Sequence, residues 1–170
     1  MSLTNREFWT LIHGMVIGAV FLLAFSGGLA GLWSLRTEFV ISAGLTERVR
    51  RLKVGVATMA VAAWATVLTG TYIVYPWYRE TGPTSARSIL LDNPDTADWH
   101  HFGMEWKEHI AWISPMLATV AAFLVIYYGA SLAKNPKLRK ITMGVFVSAF
   151  AVAAVAGILG ALITKSAAVK

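Results

Sequence analysis

Four stretches of this chain, Phe8–Trp33, Val54–Tyr75, Ile110–Leu132 and Ile141–Thr164, contain no Asp, Glu, Lys or Arg. A helix needs about 20 mostly apolar residues to cross a bilayer. Each stretch is long enough. In hydrocarbon the backbone must satisfy its own hydrogen bonds, which leaves few alternatives to helix for such segments. The sequence therefore predicts an all-α integral membrane protein, a single four-helix domain with spans near 8–33, 54–75, 110–132 and 141–164. Apolar residues make up 56% of the chain and charged residues 14%, about half the charge of a soluble domain.

Charge is distributed as topology would require. Nine of the fifteen basic residues lie in two short connections: Arg36, Arg48, Arg50, Arg51 and Lys53 in the first, Lys134, Lys137, Arg139 and Lys140 in the second. Only Glu38 and Glu47 oppose them there. The positive-inside rule places both connections in the cytoplasm. The segment from Arg79 to Glu108 has the opposite balance, with six acids and three bases. It is expected outside, as a long extracytoplasmic loop over 76–109 between the second and third spans. Gly82-Pro83 and Asn93-Pro94 are turn signals within it, and a short interfacial helix is expected to begin near Asp95 and to break at Gly103. Both termini then lie outside, in a bacterial inner membrane. The first apolar run exceeds the core of a signal peptide, so it is expected to be retained. The net charge of +6 follows from topology and contact with anionic lipid, with no nucleic-acid partner implied.

The chain has no cysteine. It cannot itself hold a disulfide, an iron–sulfur cluster or a thioether-linked haem. Histidine is the residue that stands out. Three of the four, His100, His101 and His109, fall between Trp99 and Ile110, just before the third span, and the fourth, His13, lies just inside the first. The first and third spans run the same way, so these histidines share one face of the membrane. At about 1.5 Å per residue His13 and His109 differ in depth by less than two helical turns. Paired imidazoles at matching depth suit a six-coordinate b-type haem. Gly14 and Gly18 would let a flat ligand approach the backbone, and Arg79 or Lys107 could meet its propionates.

Other chemistries use the same residues. His101, Glu105 and His109 are spaced four apart, one stripe of an unbroken helix, and could hold a divalent zinc, iron or copper ion. His100, Glu108 or His13 could add a ligand, with Asp98 orienting it from behind. Clustered histidines and carboxylates could also pass protons to a quinone headgroup. Trp99, Phe102 and Trp106 could dock a partner in a non-redox accessory subunit. The fourth span, rich in Ala and Gly, reads as packing alone.

With paired His13 and His109 on four apolar spans, the chain resembles the small four-helix membrane b-type cytochromes. The resemblance implies one haem near the outer face. It also implies a role in passing electrons between a quinone pool or periplasmic carrier and a larger redox complex. Members with two haems carry a second histidine pair near the opposite face, which this chain lacks.

Overall fold

The computed structural model describes residues 2–36, 39 and 44–167. Four helices carry it: α1 (Asn5–Ser34), α2 (Leu45–Tyr78), α3 (Pro94–Tyr128) and α4 (Pro136–Ser166), each long and apolar enough to cross a membrane. Among the described residues there is no strand.

Local chemistry fixes where the helices begin and end. Thr4 and Glu7 form a reciprocal capping box at the start of α1, with the Glu7 carboxylate accepting from Thr4 N–H at 2.8 Å. Asn93 caps α3 by accepting from Asp95 N–H, and Pro94 sits in the first turn, where a missing N–H costs nothing. Asn135 and Pro136 repeat that arrangement at α4. Gly129 ends α3 with φ of +49°, a conformation glycine adopts without strain.

The Asn93-Pro94 pair therefore starts a helix rather than forming the expected turn. Of the segment 76–109, everything from Pro94 onward belongs to α3, and the short helix Ala86–Asp92 precedes it. Gly103 does not break α3. Instead the backbone widens into a π-helical stretch over Trp99–Met104. A turn at Ala111–Trp112 follows, next to Pro115, which has no N–H for the Ala111 carbonyl.

Around the bundle the order is α1–α2–α3–α4, with α1 diagonal to α3. Helices α1 and α2 cross at glycines: a Cβ built on Gly55 would lie 3.8 Å from Gly28 N and 3.9 Å from Ala24 O. Such small-residue crossings bring backbones together, which matters where lipid supplies no hydrophobic drive. Trp64 Nε1–H on α2 donates to Thr119 Oγ1 on α3 at 3.0 Å. Ser114 on α3 donates to the Ala149 carbonyl on α4 at 2.8 Å. Between α1 and α4 the contact is aromatic, Phe25 stacking on Phe150 at 3.9 Å and on Phe146 at 5.4 Å. At the basic end Arg139 is buried and donates to the Leu35 carbonyl at 2.8 Å. Glu47 pairs with Arg50 and Arg51. Glu38 lies outside the described residues.

Gly28 carries much of this packing, since a Cβ there would lie 2.5 Å from Phe146 Cζ. Gly28→Ala should destabilise the bundle by about 1–3 kcal/mol, the usual cost of overpacking. Gly28→Ala with Phe146→Leu should recover most of that loss. Thermal unfolding in detergent checks both, and equal losses in the single and double variants would contradict the contact.

Candidate functional site at the histidine end

Three helices change character at the same end of the bundle. Besides Trp99–Met104 on α3, π-helical stretches occupy Ile12–Val16 on α1 and Gly70–Val74 on α2. Each π turn accommodates an extra residue and re-aims the side chains around it, and such turns recur at functional sites. His13 lies in the first. Its Nδ1 is 3.0 Å from Thr69 Oγ1, and its ring rests against Gly70, where a Cβ would lie 2.9 Å from Cε1.

The hydrogen-bond network assigns the tautomer. Thr69 donates its one proton to the Ala65 carbonyl at 2.7 Å, so its oxygen accepts from His13 Nδ1–H. That leaves His13 Nε2 with a free lone pair, the form in which histidine binds a metal or takes up a proton.

His109 has the same tautomer in a different place. Its Nδ1–H donates to the Glu105 carbonyl at 2.6 Å, and the residue is exposed. The two imidazoles thus have separate surroundings, His13 between α1 and α2 and His109 on the outer surface of α3.

His101 is also exposed, and Glu105 is partly buried. The widened turn that contains His101 takes it out of register with Glu105 and His109. No group of three potential metal ligands occurs among the described residues. Gly14 faces open space, and a Cβ built on it meets nothing within 4 Å. Arg79 stacks over Tyr75 and donates to its hydroxyl at 2.6 Å.

The inward positions of α3 belong to other residues. Ser114, Pro115, Ala118, Ala121, Ala122 and Val125 are its buried face, and ahead of the turn at Ala111–Trp112 Lys107 and Glu108 are partly buried. Lys107 lays its stem on Gly160 of α4, where a Cβ would lie 2.9 Å from Cε. The ion pairs among the described residues are Arg6–Glu80, Arg50–Glu47 and Arg51–Glu47, so Lys107 is in none of them. Glu108, next in the chain, lies beside Tyr75 of α2. Its Oε1 is shielded from solvent with no hydrogen-bond partner among the described residues, as is Thr10 Oγ1.

A second lobe caps this one. His100 is buried, with Nδ1 2.8 Å from the Tyr78 hydroxyl and Arg87 Nε–H donating to its Nε2 at 3.4 Å. Arginine only donates, so His100 Nδ1–H must donate to the Tyr78 oxygen. Tyr75 stacks on Tyr78 at 6.2 Å, which joins the lobes.

In the sequence Glu108 and His100 stand out only as additional ligands. The signal that singles out Lys107 and Glu108 is their phase with the small residues of α3, because small residues face inward in membrane bundles. Compared with family models, curated proteins and solved structures, the chain matches none.

A buried charge kept for function should be a burden on the fold. Replacing Lys107 with Met together with Glu108 with Leu is expected to leave stability unchanged or raise it by about 1–4 kcal/mol. Denaturant unfolding in detergent measures this, and a clear loss would show that the two residues are structural.

Proposed function

We propose that the chain is the membrane subunit of a larger redox complex. Its histidine end would handle the protons that accompany electron exchange with a quinone pool or a periplasmic carrier. The observation that carries this is Lys107 beside Glu108 on the inward face of α3, with Glu108 Oε1 unpaired. An ionisable pair inside a membrane bundle is costly and is kept for a task. Protonatable groups continue from it in both directions. His13 on α1 offers its free Nε2. Tyr75, Tyr78 and His100 lead from Glu108 toward the end of the bundle. A proton entering at the mouth would be relayed through the Tyr75 hydroxyl to Glu108, whose unpaired oxygen is free to accept it. Lys107 would stabilise the carboxylate once the proton moves on.

Of the two residues expected to grip a haem, His13 has the tautomer and shelter an axial ligand needs. His109 as placed would have to leave the Glu105 carbonyl and turn inward. No step of the proton path uses a haem.

Quinol-dependent electron flow and proton release, measured in membranes with the wild-type chain, without it and with Glu108→Gln, test the proposal. Wild-type membranes should exceed the other two, with Glu108→Gln losing about tenfold or more, within the range that proton-transfer groups contribute. Equal rates in all three would overturn it. A dithionite-reduced visible spectrum of the purified protein separates the haem alternative. Sharp low-spin bands lost in both His13→Ala and His109→Ala would restore the bis-histidine pair, and a colourless protein would remove it.

A further inference from the structure

A short helix, Ala86–Asp92, closes the histidine end of the bundle. It has only seven residues, too few to stay helical in water unaided. Its position therefore depends on what holds it down. Ser85 starts it by accepting from Ser88 N–H at 3.1 Å. Leu90, fully buried, packs in a cluster with Tyr78 of α2, Met104 of α3, and Ile163 and Ala167 next to the bundle's end. Thr96 donates to the Leu90 carbonyl at 3.0 Å. In the same layer lies His100, only 6% exposed.

Arg87 carries the only side-chain hydrogen bond from this helix to the bundle among the described residues, Nε–H to His100 Nε2 at 3.4 Å. That bond exists only while His100 is neutral. The ring's one proton is on Nδ1, given to the Tyr78 oxygen at 2.8 Å. A second proton has to enter at Nε2, where it meets an arginine N–H head-on. Arginine neither accepts a hydrogen bond nor gives up its proton, so it cannot adjust. The charged and titratable groups around the ring are Arg87 on the short helix, Tyr78 and Arg79 at the end of α2, and His101 and Glu105 on α3. Glu105 is the one acid among them, against two arginines. From α4 this layer receives Ile163, while Lys165 is exposed.

We propose that the short helix Ala86–Asp92 is an acid-released lid, with Arg87 and His100 as its latch. Protonation of His100 at Nε2 breaks the latch, and the helix lifts from the bundle and uncovers Tyr78. Tyr75 stacks on Tyr78, so the opening exposes the entrance to Glu108. Only this last link rests on the functional reading above.

The pH range follows from linkage. With the lid closed, Arg87 occupies the position the second proton needs. With it open, the ring is solvated and titrates near the ordinary histidine value of about 6.5. Only the open form gains by protonation, so the lid is held fully above that value and loosens as pH falls through it. One linked proton makes the open form about tenfold more populated at pH 5.5 than at pH 7.5.

Hydrogen–deuterium exchange of the full chain in nanodiscs, corrected for the intrinsic pH dependence of exchange, measures the opening. In wild type the protection of amides 88–92 should fall about tenfold from pH 7.5 to pH 5.5, with the middle of α2 and α3 unchanged. His100→Gln can accept from Arg87 and donate to Tyr78 but takes up no proton, so its lid should stay shut at both pH values. Arg87→Gln can pair with either form of His100 and should also keep the lid shut. No fall in wild type, or a fall of equal size in all three proteins, overturns the lid. So does a loss that spreads to the middle of α2 and α3, which would be acid unfolding of the bundle. If His100→Gln is already open at pH 7.5, Arg87→Gln decides: a fall as in wild type overturns the latch, and steady protection upholds it. Exchange involves no electron flow, so the lid and the proton path stand or fall separately.

Discussion

The arrangement depends on a lysine laid across a glycine. Lys107 enters the bundle because Gly160 has no side chain to stop it. A partly buried ammonium in a membrane-type bundle, in no ion pair among the described residues, is held by the packing of its methylene stem and by nearby polar groups. A side chain at position 160 would collide with the lysine stem and displace it.

The π-helical stretches serve the same end. On α1 the widened turn carries His13, and on α2 it begins at the glycine on which that ring rests. On α3 it sits between the cap that starts the helix and the inward pair Lys107 and Glu108. Helix α4 has none and supplies glycines instead. Three helices adjust their register and the fourth gives up its side chains, so that polar groups meet where an apolar core would otherwise close. The basic end shows the alternative, with phenyl rings, a glycine crossing and a buried arginine filling the space.

Most of the fold is legible in the sequence because it depends on hydropathy. Charge-free runs of this length admit helix and little else, and the four helices appear around the four runs. Helix ends are legible only in part. Asn93-Pro94 carries both a turn signal and an N-cap signal, and only the residues after Pro94 distinguish the two. The site is harder to read. Histidine count draws attention to His109, but facing direction is a matter of phase, and the phase of α3 is set by Ser114, Ala118 and Ala121. A π turn cannot be seen in residue spacing, and it dissolves the four-residue stripe of His101, Glu105 and His109. The glycines of α4 read as packing because their role depends on a lysine from a different helix.

Differential labelling tests the central claim most directly. A membrane-impermeant amine reagent applied to the protein in nanodiscs, with modification read by mass spectrometry, compares Lys107 with Lys165, an exposed lysine near the same end of the bundle. Lys165 should be modified readily and Lys107 hardly at all until the bundle is unfolded. Equal modification of the two in the folded protein would place Lys107 in water and contradict the account.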